Sequence, residues 1–96
     1  MDQATVDRQF ELFRRHLVQQ GLRLTKQREC ILHALLEGTE HLSAEEMHQR
    51  VRKIAHRVGF ATVYRTLRLL VEAGLAEVRQ FGDGVQRFES SARKHH

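Results

Sequence analysis

The chain has 96 residues, with 16 Lys and Arg against 12 Asp and Glu, a formal net charge of +4, a sequence pI near 10.0 and a hydrophobic fraction of 41%. That is enough for one domain with one modest core, and the charge favours a polyanionic partner. No apolar run approaches the roughly 20 residues that cross a bilayer and no apolar stretch marks a secretion signal, so a soluble cytoplasmic unit is expected, in which the single Cys30 has no internal disulfide partner and serves as a small, buried apolar residue.

The segment from Thr5 to Gln20 carries Val6, Phe10, Phe13 and Leu17 at spacings of four, three and four, which predicts an amphipathic helix ended by Gly21. Leu22-Arg23-Leu24 is a short extended link. Thr25 is placed to cap a second helix from about Lys26 to Glu37, with Ile31, Leu32, Leu35 and Leu36 on its buried side. Arg23 lies on a link that cannot hide it in the core. It is either a solvated side chain or a basic arm that reaches phosphate or an A·T-rich minor groove.

Beyond Gly38, Ser43-Ala44-Glu45-Glu46 reads as a capping box that starts a third helix. Its apolar positions are Ala44, Met47, Val51 and Ile54, and it is expected to fade near His56. The histidines His16, His33, His48 and His56 lack a spacing partner and read as structural.

Gly59 to Gly74 reads as a helix with two faces. Val63, Leu67, Leu70 and Val71 fall within about a quarter turn on a wheel of 100° per residue, as they do on a helix laid against a core. Arg65, Arg68 and Glu72 point the opposite way, with Thr62 and Tyr64 beside them near the N-terminal end. Hydroxyls, an aromatic ring and two guanidiniums so grouped suit the DNA major groove, where Arg forks meet base edges and phosphates take positive charge. The alternative is an ordinary helix with a solvated face. Gly74 supplies the left-handed stop.

Leu75 to Phe81 then reads as a strand, Gly82-Asp83-Gly84 as a turn and Val85 to Phe88 as a second strand. The expected fold is mainly α with a small β-hairpin, a winged helix-turn-helix of three to four helices and a two-stranded wing spanning residues 1–88. Glu89 to His96 has the composition of a linker, which makes the chain look cut short.

Five motifs now stand in order: Gly21-Leu-Arg-Leu-Thr-Lys-Gln-Arg28, His41-Leu-Ser-Ala-Glu-Glu46, Ala61-Thr-Val-Tyr-Arg-Thr-Leu67, Glu72-Ala-Gly-Leu75 and Phe88-Glu89. From Gly21 to His96 the chain resembles the N-terminal domain of the ferric uptake regulator superfamily of bacterial metal-responsive regulators. The resemblance implies a winged-helix domain that binds double-stranded DNA, at A·T-rich inverted repeats, as a homodimer when metal is bound. By that resemblance Tyr64 and Arg65 are major-groove readers and Arg23 stands where the family places a basic residue in the minor groove. Lys26 replaces a frequent proline without disturbing a first helical position.

The resemblance also implies a metal site. His41, Glu89 and His96 stand where the family places ligands between this domain and a C-terminal domain of dimerisation and zinc-binding CxxC motifs. Carboxylate plus imidazole suits Fe(II), Mn(II), Co(II) or Zn(II), and Glu89 fits the iron-sensing pattern better than the peroxide sensors, which tend to have Asp there. The site is expected to be incomplete in these 96 residues. A surface histidine at His41 and a solvated strand end at Glu89 are the plain alternatives. His95 and His96 stand at the start of the family's His-Asp-His stretch, with the remnant of a purification tag as the other reading.

Two other functional classes fit less well. A winged helix that docks a protein would carry apolar residues where Arg65 and Arg68 stand. An enzyme would need a nucleophile elbow, a glycine-rich phosphate loop or a His and carboxylate set at catalytic spacing, and the sequence has none of these.

Overall fold

The computed structural model describes residues 1–38 and 40–94. Helices α1 (Gln3–Gln19) and α2 (Lys26–Glu37) are followed by a two-residue strand β1 (Leu42–Ser43), helices α3 (Ala44–Arg52) and α4 (Phe60–Glu72), strands β2 (Ala76–Gln80) and β3 (Gln86–Ser90), and a 3₁₀ turn over Ser91–Lys94.

Local chemistry sets most of these boundaries. Asp2 caps α1 by accepting from the Thr5 amide at 2.8 Å, so that helix begins two residues before Thr5. Thr25 caps α2 by accepting from the Arg28 amide at 3.2 Å, and the helix has the predicted bounds. At α3 the Glu46 amide donates to Ser43 Oγ at 3.1 Å while the Ser43 amide donates to Glu46 Oε1 at 2.9 Å, so each end of the box satisfies the other. Gly74 adopts a φ of 77°, which lets the Leu75 amide turn back and donate to the Leu70 carbonyl at 2.9 Å. Leu75 is thereby tucked into the core, 5% exposed.

One core joins all the layers. Phe13 and Leu17 from α1, Ile31 and Leu32 from α2, Met47 and Val51 from α3, Val63, Leu67 and Leu70 from α4, and Phe88 from β3 are buried together. Val6, Phe10, Cys30 and Val71 are partly buried against this cluster, so Cys30 sits at its edge and not in its interior.

The third helix is shorter than its periodicity predicts. It stops at Arg52, and the chain turns through Ile54 and Ala55, whose amides both donate to the Val51 carbonyl. Ile54 is consequently 63% exposed instead of buried, and Val58, 3% exposed, takes the core position. The apolar spacing persists in the sequence after the backbone has left the helix.

The wing also differs from expectation. The sheet has three antiparallel strands in the order β1-β3-β2, with Leu42 opposite Phe88 and Val78 opposite Phe88 on the other side. Strand β2 ends at Gln80, one residue short of Phe81, and β3 starts at Gln86 and runs through Glu89 and Ser90, into the segment read as linker. Polar composition there is overruled by pairing on both sides of β3. Helix α4, the turn and this sheet form a winged helix.

Candidate nucleic-acid interface

Helix α4 is held from below by Val63, Thr66, Leu67 and Leu70, all buried. Thr66, a hydroxyl in that core, is satisfied by donating to the Thr62 carbonyl at 2.7 Å. The anchoring leaves Tyr64 and Arg65 on the surface, with Thr62 and Arg68 half-buried at its margins. Tyr64 is 37% exposed, so its ring is wet on one side and supported on the other. Among the described residues neither Arg65 nor Arg68 has a carboxylate within ion-pair distance, which leaves both guanidiniums free to meet an anion.

The link carrying Arg23 runs beside this face. Arg23 is exposed, and its carbonyl accepts from Arg28 Nη1 at 2.6 Å. Arg28 and Leu22 share a groove of about 410 Å³ with Tyr64, Arg65 and Arg68. The basic arm and the outward face of α4, more than 40 residues apart in sequence, are therefore neighbours. Arg28 was not among the predicted site residues. It lies one turn into a capped helix, where periodicity alone reads it as solvated.

The wing is built to keep its shape. Arg87 makes a two-pronged contact with Asp83, Nη2 to Oδ2 at 2.8 Å and Nη1 to Oδ1 at 3.2 Å, and Asp83 also accepts from the Val85 amide at 3.0 Å. The Arg87 guanidinium holds the Asp83 carboxyl well below the usual range, at about 2. Arg87 also lies over the Phe81 ring at 5.4 Å.

Two of the three predicted metal ligands meet across the β1–β3 edge. His41 Nε2 stands 3.2 Å from Glu89 Oε1, and Glu89 is mostly covered, with 17% of its side chain exposed. Phe81 packs against the imidazole in a T-shaped arrangement, ring centroids 5.7 Å apart. His96 lies outside the described residues. Among the described residues no group of three His, Cys, Asp or Glu is close enough to hold a metal ion. The pair supplies one nitrogen and one or two oxygen donors, which fits part of a divalent-cation site and needs further ligands to complete it. Of the histidines read as structural, His33 does have a spacing partner, Glu37 one turn on, at 2.9 Å, and His48 Nε2 donates to the Val58 carbonyl at 3.0 Å.

The model of the ferric uptake regulator family matches residues 19–96. The chain is similar to the ferric uptake regulation protein of Bacillus subtilis, 38% identical over 96 residues that cover 95% of this chain and 64% of that protein. It is also similar to the peroxide-responsive repressor PerR of Staphylococcus saprophyticus, 30% identical over 96% of this chain and 62% of that one. Among solved structures, the Helicobacter pylori ferric uptake regulator Fur, described as having three functional metal-binding sites, superposes with a TM-score of 0.85 at 29% identity, over 94% of this chain and 60% of its own. The chain thus spans somewhat less than two thirds of the length of each relative. With the family match covering most of its residues and the fold shared throughout, this chain belongs to the ferric uptake regulator family.

Proposed function

We propose that this chain is the DNA-binding part of a bacterial, cytoplasmic, metal-dependent transcriptional regulator, an iron-responsive repressor that reads an A·T-rich inverted repeat as a homodimer. It acts by binding and not by catalysis. The observation that carries the reading is the outward face of α4: Tyr64, Arg65 and Arg68 are presented together, without ion pairs among the described residues, beside the link that carries Arg23, and Tyr64 also lines a groove with the wing. Tyr64 and Arg65 meet base edges in the major groove, where a guanidinium fork pairs with guanine or phosphate and an aromatic ring meets the thymine methyl. Arg68 and the Thr62 end of the helix take phosphates, and Arg23 enters the adjacent minor groove, whose narrow A·T-rich form concentrates negative potential.

His41 and Glu89 form the inner half of the regulatory metal site, with His96 and donors from the remainder of the protein completing it. Their imidazole and carboxylate suit Fe(II), Mn(II), Co(II) or Zn(II). Such an ion, when bound, supplies a tie between this domain and the dimerisation domain that follows the sheet. Glu89 in place of aspartate favours an iron sensor over a peroxide sensor, and zinc or manganese sensing are the neighbouring readings within the family. A protein-docking winged helix is disfavoured by the two cations on the face that would be buried.

The test is a titration of this chain against an A·T-rich inverted repeat and a scrambled duplex of equal composition at one salt concentration. The repeat is expected to bind at least tenfold more tightly, and Arg65→Ala is expected to reduce that preference by about 1–3 kcal/mol with the fold intact. Equal affinity for both duplexes rules out sequence reading.

A further inference from the structure

The charges of α4 leave its first residue unexplained. Phe60 opens the helix and is 43% exposed, although a phenylalanine at that position contributes nothing to the core beneath. Its ring is nevertheless ordered by two neighbours. One turn later Tyr64 lies nearly parallel to it, with ring centroids 6.3 Å apart and planes 20° apart. The His48 imidazole packs with it in a T-shaped arrangement, centroids 5.9 Å apart and planes at 75°, and that imidazole is fixed by donating Nε2 to the Val58 carbonyl. An exposed aromatic pair steadied by a fixed imidazole is a preformed apolar plate.

The plate faces a groove of about 560 Å³. Phe60 and Tyr64 line it together with Ala44 and Glu45 at the start of α3 and Val85 and Gln86 of the wing. We infer that Phe60 is a specificity-determining residue, reading the 5-methyl group of thymine in the major groove beside Tyr64. This rests on the DNA-binding reading above and extends it by adding, one turn before Tyr64, a second aromatic residue that reads thymine on the major-groove side. The chemistry is selective. Guanidiniums such as Arg65 and Arg68 prefer guanine edges and phosphates, whereas among the four bases only thymine offers an apolar group in that groove. An apolar plate at the entering end of the helix gains from thymine and loses by desolvating cytosine or adenine amino groups.

The experiment uses the 96-residue chain and the tightest duplex recovered by selection from a randomised pool. Each thymine is replaced in turn by deoxyuridine, which removes the methyl group and leaves pairing unchanged. For the wild type, at least one replacement per half-site is expected to weaken binding about fourfold, the value of one buried methyl group. Phe60→Ala is expected to weaken binding to the parent duplex about tenfold and to become indifferent to that same replacement, while Phe60→Leu retains the methyl sensitivity. Thermal unfolding of Phe60→Ala within a few degrees of the wild type, which its exposure predicts, separates reading from folding. Equal uracil penalties in wild type and Phe60→Ala at every position overturn the inference while leaving the DNA reading in place. A wild type that recovers no preferred duplex at all removes both.

Discussion

Arg65 illustrates what a single side chain contributes here. It stands on an exposed helix position with no carboxylate partner among the described residues, so its donors are unspent. Lysine at this position keeps the charge and gives up the planar fork, and the two residues are not equivalent where a bidentate contact matters. Arg65→Lys is expected to leave binding to scrambled duplex within about twofold, since that term is electrostatic, and to lower the preference for the inverted repeat about tenfold or more. Competition binding with both duplexes labelled in different colours checks this in one tube. The position was legible in the sequence because a helix with Val63, Leu67 and Leu70 on one side must turn Arg65 to the other. Phe60 was passed over for a related reason. A lone aromatic residue at a helix start fits neither the core stripe nor the charged face, and only its packing against His48 and Tyr64 shows that it belongs to the outward face.

At the level of elements, sequence reading succeeded where the determinant is local. Thr25, Ser43 with Glu46, and Gly74 act within one turn of themselves, and the boundaries they set were legible. It failed where the determinant is distant. Strand β1 is two residues long and exists because Leu42 and Ser43 pair with Phe88 and Arg87, some 45 residues away, and β3 is extended by that same pairing. The approach of His41 to Glu89 is a consequence of this register, invisible to periodicity and available only through family resemblance. The Ser43 cap lies where β1 becomes α3, so it secures both the helix under α4 and the edge that bears His41. Ser43→Ala is expected to cost about 1 kcal/mol and to lower the melting temperature by about 5 °C, measured by circular dichroism. Glu46 gives this cap a pH dependence. The Ser43 amide, donating to its carboxylate, lowers its pKa below the ordinary 4.5. A carboxylate depressed in the folded state contributes stability that is fully present above the unfolded value and is lost as pH falls through the folded one. Melting temperature should therefore decline as pH drops below about 4.5, and Glu46→Gln should flatten part of that decline.

Across the whole molecule, a net charge of +4 understates how unevenly the cations are distributed. On α1, Glu11 accepts from Arg14 at 2.7 Å and from Arg15 at 3.0 Å, which holds its carboxyl down at about 2 and neutralises part of that surface. In the wing Arg87 is taken by Asp83. By contrast Arg23, Arg65 and Arg68, together with the exposed Arg52 at the end of α3 and Lys53 and Arg57 of the turn that feeds the N-terminal end of α4, have no carboxylate within ion-pair distance among the described residues. Unpaired charges such as Arg65 and Arg68, which line one groove with Arg28, contribute most to the field that orients an approaching polyanion before any base is read. Each phosphate neutralised steepens the salt dependence of binding by about 0.9 in log K against log salt concentration. Four or five contacts from this set give a slope of roughly −4. Arg57→Ala is expected to reduce that slope by about 1 while leaving the ratio between repeat and scrambled duplex unchanged, because a phosphate contact positions without discriminating. Arg14→Ala, which removes a guanidinium already paired with Glu11, should leave the slope as it was. Fluorescence anisotropy titrations at four salt concentrations distinguish these outcomes. A slope that responds equally to both substitutions would show that the domain binds DNA through overall charge and not through the face built around α4.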